Sequence, residues 1–102
     1  MAVSEEDVMS LSHGDQIVII SEDEAKARDF WYGNVASWVT DMNKYCSKRL
    51  TVDVVKKEVG YGHVYVEENF FWWRWDFIDR IIKAPRVSYS AEDIELVLFG
   101  GA

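Results

Sequence analysis

The sequence predicts a mainly β domain: a small five-stranded barrel with a short helical turn near residues 37–46 and a C-terminal helix or tail. Three observations carry that prediction. Short β-branched and aromatic runs recur between Gly, Asn and Asp turn signals. Trp38, Met42 and Tyr45 fall at i, i+4 and i+7, one face of a short helix. Aromatics make up 15% of the 102 residues, from five Trp, five Tyr and five Phe, which can fill the core of a domain this small.

Met1–His13 is short and polar and is expected to fray, although Ser4-Glu5-Glu6-Asp7 fits the start of one helical turn. Gly14-Asp15 leads into Gln16-Ile17-Val18-Ile19-Ile20, a strand buried on both faces. Ser21 to Glu24 reads either as a capping box opening a short helix, with Lys26 and Arg28 near its C-terminus, or as an acidic solvated loop. The aromatic cluster Phe30-Trp31-Tyr32 ends in the turn residue Gly33. Leu50 to Val55 alternates as a half-buried strand with Leu50, Val52 and Val54 inward. Gly60-Tyr61-Gly62 marks a hairpin turn before the alternating strand His63 to Glu67. Glu68-Asn69 is the next turn, and Phe70 to Trp75 is a strand aromatic on both faces. Asp76 to Asp79 reads as a helical turn and Arg80 to Lys83 as a last strand.

Ala84-Pro85 breaks the pattern. The chain thus divides into a flexible acidic N-terminus at 1–13, the barrel at 14–84 and an amphipathic segment at 85–102. In the last, Ser90 is placed as an N-cap, Ile94, Val97 and Leu98 share a face, and Gly100-Gly101 ends the helix. Five short strands with a helical turn before the fifth is the layout of an SH3-like barrel.

The residue order runs Tyr32-Gly33, Trp38-x-x-x-Met42-x-x-Tyr45-x-x-Lys48, Leu50-Thr51-Val52, Tyr65-Val66-Glu67 and Trp73-x-Trp75-Asp76-x-Ile78. Over about Gly14 to Ile82 it resembles small SH3-like proteins of phages and prophages of Gram-positive bacteria. Two positions depart from that pattern: Ser47 replaces a junction Gly, and Ile78 stands where Met is usual. The resemblance implies a phage-borne accessory protein in the cytoplasm of a bacterial host. It brings no catalytic residue and no cofactor with it.

The formal charge is −7 and is unevenly spread. Residues 1–29 carry eight acids against two bases, 30–91 nine bases against seven acids, and 92–102 three acids and no base. The aromatic middle is mildly basic, but the chain as a whole lacks the basic footprint of a nucleic-acid binder. No apolar run approaches the ~20 residues of a membrane span. The lone Cys46 has no disulfide partner within the chain.

His13, His63 and Cys46 are isolated, with no Cys-x-x-Cys or His-x-x-x-His spacing, so no metal site is expected. No Walker loop or Gly-x-Gly-x-x-Gly occurs, and Asp76 and Asp79 fall on a surface turn, so neither a cofactor nor an enzyme is expected. Binding is the better class. Phe70, Trp72 and Arg74 share the outer face of their strand and, with Trp31 and Tyr32, are candidates for contact with a host or phage protein. Alternatively, the acidic loop or the C-terminal segment covers Phe70 and Trp72. A second functional reading is a scaffolding module that self-associates through Ile94, Val97, Leu98 and Phe99.

Overall fold

A computed structural model describes residues 3–58 and 60–85. The tail candidates Ile94, Val97, Leu98 and Phe99, and the predicted helix around them, lie outside the described residues. The element order is α1 (Glu5–Met9), β1 (Gln16–Ile19), α2 (Glu22–Ala27), a 3-10 helix at Thr40–Tyr45, β2 (Arg49–Glu58), β3 (Tyr61–Val66), β4 (Trp72–Arg74), a 3-10 turn at Trp75–Phe77 and β5 (Ile78–Ile82). The five strands form an antiparallel sheet in the order β4-β3-β2-β1-β5. Consecutive strands β4 and β5 therefore sit at opposite edges, and these pairings do not close the sheet into a barrel.

The long strand β2 joins the two halves. Arg49 to Thr51 pair with β1, and the chain from Val52 onward pairs with β3. The register shifts between Val52 and Val54, leaving Asp53 as the extra residue of a bulge. Leu50 and Val52 are buried as their alternation predicts, but Val54 is 40% exposed. Past the bulge the two faces exchange, so Val55 packs against the core in its place.

The core is centred on four aromatic rings. Trp38 stacks on Phe30 at 5.4 Å and meets Trp73 and Phe77 edge-on at 5.6 and 5.0 Å. The Trp38 Nε1–H donates to Asn43 Oδ1 at 2.8 Å, and Asn43 Nδ2 donates to the Trp31 carbonyl at 2.9 Å. Those two bonds hold the irregular stretch before β2 against its own 3-10 helix. The expected helical turn is there, with Met42 buried and Tyr45 half-buried.

The N-terminal segment differs from its expected frayed state. Ser4 caps α1, accepting from the Asp7 N–H while its own N–H donates to the Asp7 carboxylate. Val8 is fully buried in the core, and Leu11 is buried with it. Glu5 Oε2 accepts from the Gly62 N–H at 2.8 Å, and a Cβ at Gly62 would lie 2.7 Å from Met9 Sδ. Gly62 is thus a residue of β3 that admits α1 at close range, and the hairpin is tighter than Gly60-Tyr61-Gly62 suggests, since Glu58 pairs with Tyr61. Asp15, fully buried, reinforces this end: its carboxylate accepts from the Ser12 and Ala84 N–H groups, both at 2.9 Å.

Of the two readings of Ser21 to Arg28, the helix is the observed one. Ser21 Oγ accepts from the Glu24 N–H, and Lys26 and Arg28 pair with Glu22 and Glu24 one turn back. Ser47 adopts φ 61, the left-handed conformation that glycine enters without strain. Its N–H donates to the Ile19 and Ile20 carbonyls, each at 3.1 Å, which holds the serine there. Ile78 is buried.

If α1 closes the core, Val8→Ala will lower stability by about 1.5–3 kcal/mol in urea unfolding. An unchanged midpoint would mean that the segment frays after all.

A candidate interaction surface at the aromatic edge

Backbone pairing sorts the aromatic strands into two faces. Val55, Val64 and Trp73 form one row across β2, β3 and β4, pointing into the core. Val54, Tyr65 and Trp72 form the next row, on the outer face. There Trp72 packs on Tyr65 at 5.9 Å and edge-on to His63 at 5.5 Å, and it keeps 44% of its surface exposed. Burial and a 3.0 Å hydrogen bond to Glu58 hold the Tyr65 phenol above its ordinary pKa.

Phe70 is fully exposed, and its turn explains why. Asn69 Oδ1 accepts from the Phe71 N–H at 3.0 Å and from Trp73 Nε1 at 3.2 Å. This Asx turn draws Phe71 and Trp73 inward and leaves Phe70 at the apex. Phe71 then packs against Tyr45 and Trp73. Among the described residues, neither the acidic loop nor any other segment covers Phe70.

Phe70, Phe71 and Trp72 form one wall of a groove of about 260 Å³, and Ser37, Val39 and Met42 form the rest. Val39 is half exposed at the rim, and Met42 lies buried beneath, its Sδ accepting from the Val39 N–H at 3.2 Å. Among the described residues that line it, none is titratable. Among the described residues, strand β4 beside the groove has a single neighbour, β3.

The remaining candidates fare differently. Arg74 does not line the groove. Its guanidinium makes two bonds to the Asp76 carboxylate, at 2.6 and 2.8 Å, and lies over the rings of Tyr61 and Phe77. Hydrogen bonding to Asp76 raises its pKa further, and the pair clamps the corner between β4 and β5. Trp31 is half-buried with Lys26 Nζ 5.0 Å from its ring, and Tyr32 is exposed; neither lines the groove.

A larger cleft of about 480 Å³ lies between α2 and the Trp75–Asp79 corner. Within it Arg28 bonds both Glu24 and the Asp76 carbonyl, and the Asp76 carboxylate accepts from Arg74. The Asp76 carboxylate is thus engaged by Arg74 through two bonds.

Sequence spacing showed no metal-ligand motif, yet the fold brings His13, Asp53 and Glu67 together, with their ligand atoms within 4.8 Å of one another. They are far apart in the chain, so only the bulge and the strand pairing reveal the cluster. His63, the other histidine, is buried, with its Nδ1 3.0 Å from the Tyr61 carbonyl oxygen. Among the described residues, no helix is long and apolar enough to cross a membrane. No protein-family model, curated protein or solved structure matches the chain.

Cys46 is half-buried, and burial, with the charge of Glu22, pushes its thiol pKa above the ordinary value. A raised pKa leaves less thiolate at neutral pH. Cys46 will therefore react with a disulfide reagent near pH 7 more slowly than a free thiol, accelerating only at higher pH than that thiol does. A fast reaction at neutral pH would instead identify an activated nucleophile.

Proposed function

We propose that the chain is a non-enzymatic protein-binding module, an SH3-like accessory protein of phage or prophage type, whose contact surface is the groove between Val39 and Phe70–Trp72. The observation that carries this reading is the complete exposure of Phe70 beside the half-exposed Trp72 and Val39. Large apolar side chains grouped on a rim are costly to leave in water, and Trp and Phe are enriched at the centres of protein interfaces. The apolar character of the described groove lining favours binding over catalysis at this place. The five-stranded order and the 3-10 turn before β5 support the SH3-like part of the reading. A host defence protein inhibited through this surface is the strongest form of the proposal.

The test is capture of partner proteins from Gram-positive bacterial lysate on immobilised full chain, compared with Phe70→Ala and Trp72→Ala. Each substitution should cost about 2 kcal/mol or more of binding, roughly thirtyfold in affinity, as buried interface aromatics do. Phe70 is fully exposed, so its variant should unfold at the wild-type midpoint. Equal recovery of the same proteins by all three chains would remove the groove from the interface.

A further inference from the structure

We propose that His13, Asp53 and Glu67 form a binding site for a divalent transition-metal ion, best suited to Zn²⁺, on the surface where the α1–β1 loop crosses β2 and the end of β3. The site is separate from the apolar groove and does not rest on the protein-binding reading.

Position comes first. His13 Nε2 lies 2.8 Å from Glu67 Oε1 and 3.9 Å from Asp53 Oδ1. A tetrahedral zinc centre with bonds of about 2.0–2.2 Å sets its ligand atoms roughly 3.3–3.5 Å apart. The observed separations bracket that value, so small rotations of three exposed side chains would seat an ion between them.

The backbone beneath each ligand is tied to the same patch of β2. The Gly14 N–H donates to the Val52 carbonyl at 3.0 Å, and the Val52 N–H donates to the Asp15 carbonyl at 2.8 Å. Both bonds tie the loop carrying His13 to Val52, the residue just before the bulge. Asp53 is the bulged residue itself, and a bulge redirects a side chain that regular pairing would place elsewhere. The Glu67 N–H donates to the Thr51 carbonyl at 3.0 Å, two residues before Asp53. The three donors are thus held by one hydrogen-bonded unit and not by three independent loops.

The donor set then selects the ion. One imidazole nitrogen with two carboxylate oxygens suits Zn²⁺ and its first-row neighbours, whereas Mg²⁺ and Ca²⁺ prefer oxygen alone. Three protein ligands leave a position for water, as in open zinc sites. Glu68, next in sequence, is engaged elsewhere: its carboxylate accepts from the Thr51 N–H and the Thr51 hydroxyl, at 2.8 and 2.7 Å. That bond supports the backbone under Glu67 and contributes no fourth ligand.

Isothermal titration of the full chain with ZnCl₂ in chelator-free buffer tests the site. The expected result is one Zn²⁺ bound per chain, with affinity reduced about tenfold or more in each of His13→Ala, Asp53→Asn and Glu67→Gln, and retained in Cys46→Ser. MgCl₂ should give no comparable binding. All three ligands are exposed, so circular dichroism and unfolding midpoints of the variants should match the wild type. No Zn²⁺ binding, unchanged affinity in His13→Ala and Glu67→Gln, or equal binding of Mg²⁺ would overturn the proposal.

Discussion

The contact between Trp38 and its three aromatic neighbours, Phe30, Trp73 and Phe77, is the interaction on which the other elements of the fold depend. Each ring comes from a different part of the chain: the turn after α2, the irregular stretch before β2, strand β4 and the corner before β5. In a chain this short, aliphatic strands alone bury too little surface, and each aromatic contributes roughly 150–250 Å². Removing any one ring would uncouple a sheet edge from the helical turn opposite. The surrounding features then follow as ways of closing the cluster. Strand β2 bends at its bulge to reach both halves, and α1 brings Val8 to the end left open near Gly62.

The same constraint shapes the outer surface. Once Trp73 and Phe71 turn inward, strand alternation sends Trp72 outward, and the Asn69 turn leaves Phe70 at its apex. The Asn69 Nδ2, buried without a partner among the described residues, is a local cost of that turn. Arg74 shares the outer face, but Asp76 holds it against Tyr61 and Phe77, so it stabilises the corner and leaves the apolar groove uncharged. Core packing at one residue and exposure at the next are two consequences of a single strand geometry.

Periodicity made most strands legible because their burial repeats every second residue. It failed where the repeat itself breaks. Alternation places Val54 inward, because the bulge at Asp53 carries no signature in the residues around it. Segment α1 has no sequence signal of docking, because one buried valine in a polar stretch gives no period, and its docking depends on the missing side chain of Gly62, a distant residue. The candidate surface was partly legible: the outward placement of Phe70 and Trp72 follows from alternation, whereas Val39, Ser37 and Met42 join them only through the tertiary fold. Alternation places Arg74 on the outer face, but its bonds to Asp76, across a corner that sequence alone does not shape, draw it away from the groove lining. The His13, Asp53 and Glu67 cluster has no local pattern at all, since long-range pairing assembles it.

The division of neighbouring aromatics between core and solvent is most directly tested by fluorine NMR of fluorotryptophan-labelled chain in the presence of a soluble gadolinium chelate. Single Trp→Phe variants would assign the five tryptophan signals. Trp72 should broaden strongly, while Trp38 and Trp73, at most 2% exposed, should be nearly unaffected. Equal protection of Trp72 and Trp73, or broadening of Trp38, would contradict the aromatic core and the surface derived from it.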